Sequence, residues 1–185
     1  MTTTQHLTAD EIDRQLAERG ASPNRLGTVE LIVRRPDVDE RDVLDEGELR
    51  VGTGLVGDNY VERGSKQTDD GSAHPEAQLN IMNSRNLDVI AGGDRERWAL
   101  AGDQFLVDLD LSAENLPVGT RLRIGSAVIE VAAKPHNGCA KFAERFGIEA
   151  ARWVNDARHE RRRGLCAMVV EAGTVANGDE IAVID

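Results

Sequence analysis

Cys139 and His136 are the two residues of this sequence whose types and spacing could do chemistry together. They lie between a strand-like run and a helix-like run, in the segment from Lys134 to Phe142. A thiol where a helix begins faces unpaired N–H groups and the positive end of the helix dipole, and both favour thiolate over thiol. A thiolate is a nucleophile, a redox centre and a ligand for soft metals. The alternative for Cys139 is a small buried apolar side chain.

Other motifs in the sequence give weaker evidence of function. A Cys–His pair could activate a nucleophile, but no Asp or Asn can be identified from the sequence as the third member that orients His136. Cys166 lies in the apolar run Leu165–Val170, which predicts a structural thiol. The glycines from Gly52 to Gly57 match a dinucleotide fingerprint, yet Asp58 follows at once and Gly64 interrupts any helix, so we interpret them as a turn.

Composition and charge exclude several classes of function. The chain has 185 residues and a formal net charge of −11, which argues against general binding to nucleic acids or acidic membranes. The two cysteines are too few for a disulfide framework, and the polar start has no apolar segment typical of a signal peptide. We therefore expect a cytoplasmic protein, and the acidic net charge still allows a small anionic ligand in a local basic pocket.

Periodicity predicts a β-rich α+β fold. Thr8 and Glu11 form a capping box before a helix that ends at Gly20. Short strands separated by glycine turns follow, and they favour a β-barrel with a few short peripheral helices over an alternating βαβ sheet. The predicted strands are Leu26–Val33, Glu48–Val51, Gln78–Met82, Gln104–Leu111, Thr120–Ile124, Ser126–Ala133, Gly164–Val170 and Glu180–Ile184. The predicted helices are Ser84–Ala91, capped by Ser84, and Ala140 to about Ala157.

The domain organisation expected from this pattern is simple. Residues 1–22 form a helix appended to the domain, and residues 23–185 form one barrel domain. The stretch from Arg63 to Pro75 is polar and has no apolar period, which is typical of a binding loop or of a disordered segment.

Four segments in order resemble the MOSC family, the molybdenum-cofactor sulfurase C-terminal domain. Each segment is similar to a short motif of that family, and together they cover most of the chain from Leu26 to Asp185. The resemblance implies a MOSC-like β-barrel. The four segments are Gly54–Asp58, Val118–Val131, Gly138–Gly147 and Arg162–Asp179.

The resemblance also implies a cofactor and a role for the cysteine. Cys139 matches the family cysteine, which ligates the molybdenum of the molybdenum cofactor (molybdopterin) or carries sulfur. The implied function is a small oxidoreductase, for example a reductase of N-hydroxylated compounds, with an electron-donor protein as partner. The spacing alone, without the resemblance, makes His136 the candidate catalytic neighbour of Cys139. Residues expected to contact the cofactor are Lys66, Lys141 and Arg163, with Arg63 and Arg85 behind them, and Asp58 from the glycine turn.

Two departures from the family pattern leave other hypotheses open. The sequence reads Ala101–Phe105 where relatives often have Gly-Glu-Asn, and His74 is followed by Pro75-Glu76-Ala77 without a basic residue. One alternative is a sulfur carrier or cofactor-delivery module with a persulfide on Cys139, supplied by a sulfur-donor protein. Another is a barrel that has lost the activity and serves only in interaction. That last hypothesis expects Cys139 to be buried and its pocket to lack basic residues.

Overall fold

The structure is a computed structural model that describes residues 6–184. Residues 1–5 of the predicted N-terminal segment lie outside the described residues, and the division of the chain at residue 22 stays a prediction. The strands are β1 Leu26–Arg34, β2 Asp42–Leu44, β3 Glu46–Arg50, β4 Gly54–Leu55, β5 Leu79–Asn83, β6 Phe105–Asp108, β7 Arg121–Ile124, β8 Ala127–Val131, β9 Leu165–Glu171, β10 Gly173–Ala176 and β11 Glu180–Ile184. The α-helices are α1 Ala9–Arg19, α2 Tyr60–Arg63, α3 Ser84–Ile90, α4 Ala140–Phe146 and α5 Ile148–Val154, and Pro75–Ala77 and Arg95–Ala101 form 3-10 turns.

Seven of the described strands close into a barrel in the order β11-β7-β8-β9-β5-β6-β1. Closure is made by β1 and β11, which pair antiparallel from Leu26 opposite Ala182. Neighbouring strands are antiparallel except β5 and β6. The second half of β1 also pairs with β2, and β10, β3 and β4 form a small separate sheet. The predicted β-barrel with a few short peripheral helices is confirmed.

Alternation along the strands divides the apolar residues between two cores. Phe105 and Val107 face the barrel interior, whereas Leu106 between them faces the helices. In the same way Ile81 points inward and Met82 outward. This follows from the two-residue period of a strand. The outer face of β5 and β6 is therefore apolar and must be buried by packing against another layer.

The helices pack on that apolar face and bury it. Helix α1 begins at Thr8 with the predicted capping box to Glu11 and ends before Gly20. Its residue Ile12 is fully buried against α3 and α5, in a cluster that also holds Phe142, Phe146 and Trp153 from α4 and α5. Burial of one such side chain is worth roughly 1.5–3 kcal/mol. The helical layer thus fixes the segment that carries Cys139 onto the barrel.

Two details of the predicted helices are wrong. The helix expected from Ala140 to about Ala157 is broken at Gly147, which adopts a φ of 93° and separates α4 from α5. A Cβ on Gly147 would come within 2.7 Å of Cγ of His6, so the break also accommodates a close tertiary contact. Helix α3 is capped by the side chain of Asn83 and not by Ser84, because Asn83 accepts a hydrogen bond from the backbone N–H of Asn86.

Candidate functional site

One rim of the barrel collects the polar residues that could do chemistry. The end of β1, the start of β6, the end of β8 and the start of β9 meet there, because β1 pairs antiparallel with β6 and β8 with β9. Arg35 follows β1, Asp103 precedes β6, and Arg163 precedes β9. The segment with His136 and Cys139 follows β8. Strand topology thus brings together residues that are far apart in the sequence.

Cys139 is exposed and lies at the beginning of α4, as the sequence predicts. It lines a cavity of about 330 Å³, which we call the cysteine cavity. This size is near the lower end for small-molecule sites. Two carboxylates, Asp37 and Asp39, also line it. Its basic lining residues are Arg35, Arg41, Arg63, Lys141, Arg145 and Arg163. The hypothesis of a barrel without activity expects a buried Cys139 and no basic lining, and the structure shows neither feature.

Two arginines of the cysteine cavity keep a donor without an acceptor. The Nε atoms of Arg41 and Arg163 are buried and have no hydrogen-bond partner within the described part of the chain. Burial, followed by the like charges of Arg145 and Arg35, lowers the pKa of Arg41 from its ordinary value. Unsatisfied donors and crowded positive charge both favour a bound anion.

Arg163 is held in place by a buried network. Its Nη1 donates to both carboxylate oxygens of Asp103 at 2.8 and 2.7 Å, and its Nη2 donates to the carbonyl of Ala101 at 3.0 Å. The guanidinium also lies over the ring of Phe142, 4.8 Å from its centroid. These contacts fix the guanidinium of Arg163 in place, so the Nε donor that lacks an acceptor also has a fixed position.

His136 forms a hydrogen bond with the same carboxylate, that of Asp103, from the side opposite Arg163. Its Nε2 lies 2.7 Å from Oδ1 of Asp103. Burial and then Arg163 lower the pKa of His136, although Asp103 opposes the shift. Burial disfavours ionisation of Asp103, but Arg163 and His136 outweigh it and leave the pKa of that carboxyl below its ordinary value. A neutral His136 that donates from Nε2 to Asp103 has an unprotonated Nδ1, which can accept a proton.

The backbone beside the cysteine is clamped by Asn155. The N–H of Gly138 donates to Oδ1 of Asn155 at 2.8 Å, and Nδ2 of Asn155 donates to the carbonyl of Gly138 at 3.0 Å. Because one amide satisfies both backbone groups of Gly138, the peptide before Cys139 has a fixed orientation.

A second pair of contacts ties the basic residues of α4 to the loop after β1. Asp39 accepts from Lys141 at 2.6 Å and from Arg145 at 2.8 Å. The hydrogen bond from Lys141 is the main reason why the pKa of Asp39 is lowered. Asp39 has a φ of 63°, unusual for a residue with a side chain, which indicates that the loop is shaped around these contacts.

The residues predicted as cofactor contacts fall into three groups. Lys141, Arg163 and Arg63 line the cysteine cavity, and Arg63 also lines a neighbouring cavity, where Lys66 lies. Asp58 is buried behind the site. Arg85 lies elsewhere, where it pairs with Asp108 and donates to the carbonyls of Arg19, Gly20 and Ala21 at and just after the end of α1.

Asp58 has a structural position. Its carboxylate accepts from Nε and Nη2 of Arg35 at 2.9 and 2.8 Å and from the backbone N–H groups of Arg35 and Tyr60. The Arg35 guanidinium also donates to the carbonyl of Gly102 at 3.1 Å. Asp58 therefore positions Arg35 at the cavity and does not line the cavity itself. The glycine turn before Asp58 leads into one-turn helix α2, which does not fit a dinucleotide site.

Sequence reasoning missed several residues of this rim. Asp103 is 33 residues from His136 and no local pattern connects them. Arg41, Arg145 and Asn155 were also missed. Arg35 had a usable signal, since Arg34-Arg35 directly before Pro36 places charge where a predicted strand ends.

Membrane spanning by a helix is not supported, since no helix within residues 6–184 combines the length and apolarity that crossing requires.

Comparison with known folds gives several matches. The YUAD protein from Bacillus subtilis is 17% identical, with a TM-score of 0.65 over 85% of this chain and 95% of that one. YiiM from Escherichia coli is 20% identical, with a TM-score of 0.56 over 85% and 70% of the two chains. YiiM from Geobacillus stearothermophilus is 13% identical, with a TM-score of 0.58 over 86% and 75%.

At sequence identities of 13–20%, the similarity to these structures shows a shared fold only. No curated protein sequence matches the chain. A family model does: the MOSC domain model matches residues 68–182, which is more than half of the 185 residues. That match includes β5 to β10, the segment from Lys134 to Phe142 (the cysteine segment), Asp103, Asn155 and Arg163. On this evidence the chain belongs to the MOSC domain family.

Proposed function

We propose that this protein binds molybdenum cofactor in the cysteine cavity, with Cys139 as the metal ligand, and acts as a small oxidoreductase. The observation that carries the proposal is an exposed thiol at the rim of a cavity lined by six cationic side chains, in a protein whose net charge is −11. A thiolate is a ligand that suits a soft metal centre, and cationic donors suit a phosphate. The MOSC family is associated with this cofactor.

The residues present fit the cofactor. Arg41 and Arg163, each with a buried Nε that lacks a partner in the described residues, would stabilise its anionic part by their charge, and Lys141 and Arg63 would add positive charge at the same cavity. Asp58 contributes by holding Arg35. When bound, the cofactor would supply two-electron, oxygen-atom chemistry, such as reduction of an N-hydroxylated compound.

The protein's own residues would bind, orient and move protons. Asn155 fixes the peptide before Cys139, and Arg163 fixes Asp103. His136, hydrogen-bonded to Asp103, can hold a proton at Nδ1 and release it into the cavity, which a reduction that takes up protons requires. The partners of this reaction would be a small-molecule substrate and an electron-donor protein, with the protein in the cytoplasm.

The test is the molybdenum content of protein made in a host that synthesises the cofactor. We expect close to one molybdenum per chain, lost in Cys139→Ser and retained in Cys166→Ser. Cys166 is a matched control because it is 2% exposed and lies outside the cavity. Traces of metal that are the same in both variants would contradict the proposal.

A second function is favoured by the exposure of Cys139. A sulfur carrier needs a thiol that a donor protein can reach, and Cys139 is exposed. In that case a desulfurase partner would transfer sulfur to Cys139 as a persulfide. Mass spectrometry after incubation with a cysteine desulfurase and cysteine should show one added sulfur (~32 Da) on the Cys139 peptide, and an unmodified peptide argues against this function.

A further inference from the structure

A second basic cavity adjoins the cysteine cavity. This cavity, which we call the loop cavity, has a volume of about 600 Å³ and is lined by Arg63, Lys66, Lys134 and His74. None of the described residues that line it is an Asp or a Glu. In a chain of net charge −11 this is a local excess of positive charge. Such an excess inside a concave surface concentrates anions.

The loop from Gly64 to Ser72 forms one wall of the loop cavity, and hydrogen bonds within the loop fix its shape. The side chain of Thr68 donates to the carbonyl of Ser72 at 2.6 Å, and Ser65 donates its backbone N–H to the carbonyl of Gly71 at 3.2 Å. Gly64 has a φ of 61°, and a Cβ there would lie 2.3 Å from the Gly71 carbonyl oxygen. The two ends of the loop therefore touch, and an anion would bind to a largely preformed wall at a low entropic cost.

Contacts around the cavity also orient its donors. Lys134 donates from Nζ to Oε1 of Gln67 at 2.6 Å, which joins the cysteine segment to the loop. Nδ1 of His74 accepts from the backbone N–H of Glu76 at 3.2 Å, so the neutral ring carries its proton on Nε2. Tyr60 donates to the carbonyl of His74 at 2.6 Å and holds this residue beside α2. The cavity thus offers ammonium, guanidinium and imidazole donors from three segments.

We propose that the loop cavity binds a phosphate group, and that this is the phosphate of the substrate whose reacting end lies in the cysteine cavity. Arg63 lines both cavities, so the two are neighbours and a molecule that extends across them would contact this arginine. A phosphate has up to two negative charges and three terminal acceptor oxygens, which match donors that converge from several segments better than a carboxylate does. The part that concerns the substrate rests on the proposed function, whereas the phosphate site itself does not.

Calorimetric titration of the protein without cofactor tests the phosphate site. The probes are inorganic phosphate, adenosine monophosphate and adenosine, at low salt. We expect both phosphates to bind and adenosine not to bind. In Lys66→Gln/Lys134→Gln, binding should weaken at least about tenfold, because two charge-assisted hydrogen bonds are lost. Arg152→Gln removes an exposed cation outside both cavities and is the control that should leave phosphate binding unchanged, whereas Lys141→Gln should weaken only binding in the cysteine cavity.

The same variants separate this inference from the proposed function. Protein from the cofactor-competent host should keep its full molybdenum content in Lys66→Gln/Lys134→Gln and lose part of it in Lys141→Gln. Tighter binding of adenosine monophosphate than of inorganic phosphate supports the phosphate of an organic substrate, and equal binding assigns a site for the free anion and overturns the substrate part. Absence of phosphate binding, or binding that the double variant does not weaken, overturns the whole inference.

Discussion

His136 and Arg163 bind the same carboxylate from two sides, with Nε2 of His136 at 2.7 Å and Nη1 of Arg163 at 2.8 Å from Oδ1 of Asp103. The Asp103 side chain is fully buried, and those of His136 and Arg163 are 10% and 5% exposed. A buried carboxylate between a histidine and an arginine needs only one positive partner to balance its charge. Arg163 provides that charge permanently, so His136 is left neutral.

This arrangement predicts how stability depends on pH. The pKa of folded His136 is lowered from its ordinary value of 6.5, so below that pH the unfolded chain binds more protons than the folded one. The stability that His136 contributes is complete above about pH 6.5 and is lost as the pH falls. We expect the free energy of unfolding, measured with urea, to fall between pH 7.5 and 5.5, by at most about 1.4 kcal/mol per pH unit from this residue.

Two variants check the assignment to this residue. His136→Asn should flatten the pH dependence, whereas His159→Asn, at an exposed position, should keep the slope of the unaltered protein. Equal slopes in all three proteins would show that His136 does not titrate differently in the folded state.

A second prediction concerns Asp58. Its side chain is fully buried and pairs with Arg35, whose side chain is 6% exposed. Asp58→Asn would leave the Arg35 charge buried without a counterion, and removal of one partner of such a pair costs about 3–5 kcal/mol. Denaturant unfolding should show this loss. Glu48→Gln breaks the exposed Arg50–Glu48 pair and should leave the unfolding midpoint unchanged, and a similarly small effect of Asp58→Asn would contradict the buried pair.

A third prediction separates the two thiols. Burial raises the pKa of Cys166 to about 11, so that only ~0.1% of it is thiolate at pH 8. Labelling of the native protein with a disulfide reagent should therefore give one fast thiol, Cys139, and a second that reacts only after unfolding. Cys139→Ser should abolish the fast phase and Cys166→Ser should keep it. Two fast thiols in the native protein would mean that the strand around Cys166 opens readily.

Sequence patterns predicted the barrel because its signals are local. Alternation of apolar residues and glycine turns gave strands such as Glu180–Ile184 with the observed bounds, and the Thr8–Glu11 box gave the start of α1. Short pieces such as β2, Asp42–Leu44, escaped because three residues show no period. The break at Gly147 escaped because glycine inside a helical pattern does not reveal whether its φ will be positive.

The site was predictable only at its cysteine. Cys139 follows from the junction of a strand and a helix, which is a local feature. The partner of His136 could not be found in this way, because contact with Asp103 depends on how β6 and β8 are arranged in the closed barrel. For the same reason Arg163 could be proposed as a cationic residue, while its burial against Phe142 could not.

The last prediction concerns Asn155 as a positioning residue for the cysteine segment. Its amide makes two hydrogen bonds to Gly138, at 2.8 and 3.0 Å, and Gly138 directly precedes Cys139. Asn155→Ala removes both, which should cost about 1–2 kcal/mol of stability and release the Gly138 amide. Hydrogen exchange of the peptide covering residues 134–142 should become about tenfold faster at one amide, and molybdenum content should fall in protein from the cofactor-competent host.

Asn155→Asp and Asn177→Ala make this test specific. An aspartate can still accept from the Gly138 N–H but cannot donate to its carbonyl, so exchange at that amide should stay slow while part of the stability is lost. Asn177 donates to the carbonyl of Leu44, away from the cysteine cavity, so its loss should leave exchange in residues 134–142 unchanged. If Asn155→Ala leaves both the exchange rate and the molybdenum content unchanged, the amide does not hold the cysteine segment, and Gly138 must be ordered by the packing of α5 alone.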